Sequence, residues 1–108
     1  MTEIPQKEKK VEVITANSNL RIKELNKLNK DAKLRKDRDV FVVEGIRMFR
    51  ELPLQNVQEV YLSESALKEY RDEFKSMGVL DGRNTWILSD GVFAGVSQTK
   101  TPQGCMAV

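Results

Sequence analysis

The sequence predicts an α/β fold, a three-layer α/β/α sandwich, and three observations carry that prediction. Short β-branched runs alternate with stretches of helical periodicity along nearly the whole chain, the pattern that places a mainly parallel sheet between two layers of helices. Cap and stop residues (Ser63, Gly78, Pro53) fall where those stretches begin and end, as helix boundaries require. At 108 residues, 40% hydrophobic and 31% charged, the chain has the composition of one globular domain with a modest core.

Residues 1–10 are polar and contain Pro5, and 1–13 are expected to form a flexible lead-in. "VEVIT" (11–15) reads as a short strand or an extended arm. Asn17 or Ser18 can then cap a helix, in which Ile22, Leu25, Leu28 and Ala32 share one face and Lys23, Lys27 and Lys30 the other. "DVFVVE" (39–44) has the β-branched and aromatic density of a buried strand. Gly45 opens a short helix, "IRMFREL", that stops before Pro53. "VQEVYLS" (57–63) is the next strand. Ser63 caps a helix with Ala66, Leu67, Tyr70, Phe74 and Met77 on one stripe, closed by Gly78. "NTWILS" (84–89) is a strand, "DGVFAGVS" a short helix or turn, and "GCMAV" a last strand. Tyr61, Tyr70 and Trp86 fall inside periodic elements and are expected in the core, not as base-stacking platforms. Cys105 is read as a small core residue.

Composition excludes several chemistries. With no histidine and one cysteine, Ser-His and Cys-His pairs, internal disulfides and a structural zinc site are all out of reach. No phosphate-cradling glycine loop appears, and no run is apolar enough to span a bilayer or to serve as a secretory signal. The expectation is a cytoplasmic protein without a membrane. The net charge of +2 hides an asymmetry: residues 1–54 hold thirteen Lys and Arg against nine Asp and Glu, and residues 55–108 hold five against seven. Arg21–Arg38 alone holds eight basic residues and three acidic ones, a footprint suited to a polyanion.

Three stretches are candidates for function. "KDAKLRKDRD" (30–39), expected as an exposed connector or a frayed helical turn, offers Lys33, Arg35, Lys36 and Arg38 to phosphates; it reads equally as a solvated, charge-laced surface. "FVVEGIR" (41–47) brings Glu44 and Gly45 to the end of a strand, where α/β sheets place ligands. There Glu44 either orients an arginine or caps the next helix, and Arg47 either faces a ligand or solvent. "SQTKTPQG" (97–104) is dense in hydroxyls and turn residues, and reads also as a surface loop feeding the last strand.

Together, "NSNLRIKELNKL", "LRKDRDVFVVEGIR" and "LSDGVFAGVSQTKTPQG" resemble, in order and spacing, the N-terminal substrate-binding domain of the SpoU-family (TrmH-like, SPOUT superfamily) RNA 2′-O-ribose methyltransferases. The resemblance runs from about Ile14 to Val108, and the paired patterns RKxRxxFxVEGxR and SxTxTPQG are its specific part. It implies a sandwich like that of the ribosomal proteins that bind kinked RNA. It also implies, after the TPQG segment, a knotted domain that binds S-adenosylmethionine, dimerises and carries the catalytic motifs. None of those motifs occurs in residues 1–108, and the apolar ending "CMAV" is itself expected to lead into such a domain. The expected organisation is a lead-in over 1–13, an RNA substrate-binding domain over 14–98 and a junction over 99–108. By the resemblance, Lys33, Arg35, Lys36, Arg38, Glu44 and Arg47 face the RNA. Thr99, Thr101, Pro102, Gln103 and Gly104 fix one domain on the other. Ala16 stands where the family more often has a hydroxyl. The partners implied are a structured RNA, ribosomal by expectation, and the chain's own methyltransferase domain in a homodimeric parent. Two other readings of the residues are a protein-interaction module, docking on a catalytic domain or ribosomal protein, and a stand-alone kink-turn-type RNA binder.

Overall fold

Val60, Leu62, Cys105, Ala107 and Ile87 point to one side of a sheet, and Tyr61, Met106 and Leu88 to the other; that period of two creates two separate cores. A computed structural model of the protein describes residues 13–80, 84–97 and 104–108. Its elements are β1 (Val13–Ile14), α1 (Leu20–Lys30), α2 (Ala32–Arg38), β2 (Val43–Glu44), α3 (Ile46–Arg50), a 3-10 turn (Leu54–Asn56), β3 (Val60–Ser63), α4 (Glu64–Glu69), α5 (Arg71–Met77), β4 (Thr85–Leu88), α6 (Asp90–Val96) and β5 (Cys105–Ala107).

The strands form one sheet in the order β1-β4-β3-β5-β2. Helices α3, α4 and α5 cover one face through Ile46, Phe49, Ala66 and Phe74. Helices α1 and α6 cover the other through Ile22, Leu25, Val92, Phe93 and Val96. The three-layer α/β/α sandwich is therefore present.

The sheet differs from the mainly parallel one expected. β1 and β3 flank β4 in parallel, but β5 runs antiparallel to both β3 and β2. Alternation of strand and helix does not by itself settle direction, and here the last strand enters reversed. Its position is fixed by Ser63 N–H donating to the Gly104 carbonyl at 2.9 Å and Val108 N–H to the Glu59 carbonyl at 2.9 Å.

Local chemistry explains the remaining boundaries and their departures. Asn19, not Asn17 or Ser18, caps α1, its side chain accepting from Arg21 N–H at 2.8 Å. Ile22, Leu25 and Leu28 are buried as their spacing predicts, but Ala32 is exposed and belongs to α2. Asp31 ends α1 and starts α2, accepting from Leu34 N–H at 3.0 Å. The run expected as a connector is thus a helix of its own. The buried strand over 39–44 shrinks to Val43–Glu44. Asp39 takes a left-handed conformation at φ 58° as the C-cap of α2, and Phe41 is left largely exposed. The single helix expected after Ser63 breaks at Tyr70 (φ −114°, ψ 24°) into α4 and α5. Its stripe nevertheless packs as one, with Phe74 5.6 Å from the Phe49 ring and 5.9 Å from that of Tyr70. Tyr61 and Cys105 are buried, and Trp86, half-buried, packs on the α1 side. Residues 1–12 of the expected lead-in, and Thr99, Thr101, Pro102 and Gln103 of the expected junction, lie outside the described residues.

Candidate nucleic-acid interface

The basic run becomes a helix of its own because it is capped at both ends. Asp31 closes the start of α2, and the backbone N–H of Asp39 donates to the Arg35 and Lys36 carbonyls at its end. Arg35, Lys36 and Arg38 occupy the last turn, where the helix dipole favours positive charge. The four basic side chains of the helix then part ways. Arg35 turns inward: its guanidinium donates to the Leu28 carbonyl and, at 2.9 Å, to the Asn29 carbonyl. Those are acceptors that the end of α1 leaves without helical partners. Arg38 reaches back to Glu24 of α1 at 3.4 Å. Lys33 pairs with Asp37 at 3.7 Å while remaining 86% exposed, a link that solvent screens to a few tenths of a kcal/mol, or ~0.3. Lys36 stands exposed.

On α1, Lys23, Lys27 and Lys30 are exposed as well. The α1–α2 pair therefore presents six exposed basic residues, with Glu24, Asp31, Asp37 and Asp39 as the interspersed exposed acids.

The two other motif stretches meet behind this pair. Asn29 donates its side-chain amide to the Val96 carbonyl at 2.8 Å, joining the end of α1 to the end of α6. One residue on, Ser97 donates its hydroxyl to the Glu44 carboxylate at the end of β2. Gly45 follows with φ 106° and ψ 143°, a conformation that side-chain-bearing residues avoid. Its N–H donates to the Cys105 carbonyl at 3.1 Å. Arg47, in the first turn of α3, is exposed. Gly104 lies against β3, where a Cβ would fall 2.3 Å from the Ser63 oxygen and 2.5 Å from the Ala66 methyl. The basic run, the VEGIR stretch and both ends of the SQTKTPQG stretch are one connected neighbourhood.

A family model, the MRM3-like substrate binding domain, matches residues 19–107. This chain belongs to that family. Among solved structures, an RNA 2′-O ribose methyltransferase is similar at 26% identity with a TM-score of 0.66, over 89% of this chain and 36% of that one. An rRNA methyltransferase from Sinorhizobium meliloti is similar in fold at 15% identity, TM-score 0.63, over 90% of this chain and 36% of that one. An AdoMet-bound rRNA methyltransferase from Sinorhizobium meliloti gives 16% identity and TM-score 0.63, over 90% of this chain and 35% of that one. The MRM3-like domain spans about a third of the length of these solved relatives. No curated protein matches the chain.

Two features of this MRM3-like domain were missed from sequence. Asn29 lies seven residues after Ile22 and four after Leu25, on the buried stripe of α1; a polar residue on an apolar stripe was the available signal for a buried hydrogen bond. The second is a polar-aromatic stack: Arg21 lies 3.7 Å over the Trp86 ring, Trp86 stacks on Tyr61 at 5.6 Å, and the Tyr61 hydroxyl donates to Glu59 at 2.6 Å. Burial, followed by that bond to Glu59, pushes the Tyr61 phenol above its ordinary range. Nothing in local periodicity announces a stack drawn from three separate elements. Away from the basic surface, the carboxyl of Asp90 is held below its usual range by Ser65, whose hydroxyl and N–H both donate to it.

Proposed function

We propose that the domain grips a structured RNA, ribosomal RNA in the first instance, and presents one ribose to a 2′-O-methyltransferase domain of the same polypeptide. The observation that carries this reading is the exposed basic surface of α1 and α2, built by caps and by Arg35 in a chain of a substrate-binding family. Lys33 and Lys36 contact phosphates directly, and Arg38 does so in competition with Glu24. Arg35 acts behind them, fixing the angle of α2 on α1. Glu44 and Ser97 lock β2 to the end of α6, so that Arg47 holds a constant relation to the basic surface. The methyl donor, S-adenosylmethionine, binds elsewhere in the parent enzyme, which works as a homodimer in the cytoplasm. The similarity to an RNA 2′-O ribose methyltransferase supports this reading.

Recognition of this kind is electrostatic and shape-based, because side chains cannot read the deep groove of an RNA duplex. Fluorescence anisotropy against RNA hairpins over a salt series tests it. With about four phosphates neutralised, log K falls with log salt at a slope of about −3 to −4. An affinity independent of salt, or equal for duplex DNA, contradicts the proposal.

A further inference from the structure

We infer that Phe41 and the groove beside it seat one unpaired nucleobase of the bound RNA, a reading that rests on the RNA-binding function proposed above. Phe41 is 72% exposed, although Val40 and Val42 flank it in the sequence. It borders a groove of about 270 Å³ whose lining includes Val43, Leu52, Val57 and Val108. That is below the ~300 Å³ at which sites for drug-sized ligands begin, and suits a single planar ring. An aromatic face beside a small apolar groove is the platform on which a base stacks.

The polar groups of the groove match a base edge. Asn56 and Gln58 line it and are exposed, and their amides each offer donors and an acceptor. Asp39 lines it too, and a carboxylate only accepts. The groove therefore favours bases with an exocyclic amino group over uracil.

Charge and edge geometry select a nucleotide over a peptide. Asp39 N–H donates to the Lys36 carbonyl at 3.1 Å and Val40 N–H to the Arg35 carbonyl at 2.9 Å. These bonds tie the rim of the groove to the basic end of α2, so a base on Phe41 leaves its phosphates beside that helix. The neighbouring edge strand, β2, has two residues, too few for a peptide to add as a strand.

The test measures binding of the 108-residue chain and its Phe41→Ala and Phe41→Trp variants to three labelled RNAs: a hairpin with an adenosine loop, the same stem with a uridine loop, and the blunt duplex. The substituted ring is exposed, so both variants fold. Phe41→Ala loses about tenfold in affinity for the adenosine hairpin, with its salt slope and duplex affinity unchanged. Phe41→Trp keeps wild-type affinity, and the uridine loop binds more weakly. Wild-type affinity in Phe41→Ala, alongside lost binding in Lys33→Ala/Lys36→Ala, overturns the base seat and leaves the RNA-binding function standing. Failure of the unaltered chain to bind any of the three RNAs removes both. If Phe41→Ala instead weakens association with an added methyltransferase domain and leaves RNA affinity intact, the groove is a protein contact and the base seat is overturned.

Discussion

The hydroxyl of Ser97 donates to the carboxylate of Glu44 across fifty-three residues of sequence. The bond joins the C-cap of α6 to the end of β2, the edge strand that pairs with the last strand β5. A half-buried hydrogen bond to a charged group contributes about 1–2 kcal/mol. Ser97→Ala is expected to lower the urea midpoint by that free energy divided by the slope of the transition, with the slope itself unchanged. Unchanged stability would show that the bond does not order the junction.

Arg35 and Lys36 are adjacent, basic and opposite in role. Arg35→Ala leaves carbonyls at the end of α1 without their charged donor and costs about 1–2 kcal/mol of stability. Arg35→Lys does not restore it, since one ammonium cannot reproduce the planar fork. Lys36→Ala changes stability by less than about 0.5 kcal/mol but weakens RNA binding. Chemical denaturation beside anisotropy separates the two, and equal profiles for both variants would refute the division.

Gly104 admits no side chain. At φ 86°, an added Cβ would meet both the Ser63 oxygen, which caps α4, and the Ala66 methyl. Gly104→Ala combines left-handed strain with overpacking and is expected to destabilise by about 3 kcal/mol. Thermal unfolding by circular dichroism reads this directly; a melting temperature like that of the wild type would contradict the packing of β5 on β3.

Burial chiefly pushes the Cys105 thiol up to about 12. A group whose folded value lies above its unfolded one stabilises fully below the unfolded value, ~8.5 for cysteine, and loses that contribution as pH rises. Tyr61 shifts in the same direction, also through burial. Stability is therefore expected to fall from about pH 9 upward, and the thiol to resist alkylation while the chain is folded. Rapid modification at neutral pH would show that the β5 side of the sheet opens.

Most of the architecture was legible because it depends on short-range chemistry. Ser63 and Gly78 mark their helix boundaries, and Ile22, Leu25 and Leu28 mark the buried face of α1. What escaped depends on contacts distant in sequence. The reversed entry of β5 rests on bonds from Ser63 N–H to the Gly104 carbonyl and from Val108 N–H to the Glu59 carbonyl. The inward turn of Arg35 depends on how α2 folds back on α1. Phe41 has the composition of a core residue and the position of a surface one, because the left-handed cap at Asp39 delays the strand to Val43. Within the candidate interface, residue types and order were readable from the motifs, but the division of labour among Lys33, Arg35, Lys36 and Arg38 required the helix.

The most direct test of the central claim is the affinity of the Lys33→Ala/Lys36→Ala variant for a structured RNA hairpin, measured across a salt series beside the unaltered chain. Both lysines are exposed, so the variant is expected to unfold at the same denaturant concentration as the unaltered chain. Its affinity should fall at least several-fold, with a salt slope shallower by about 1.5 to 2. A variant that binds as tightly as the unaltered chain, with the same slope, would show that α2 is not the surface that holds RNA.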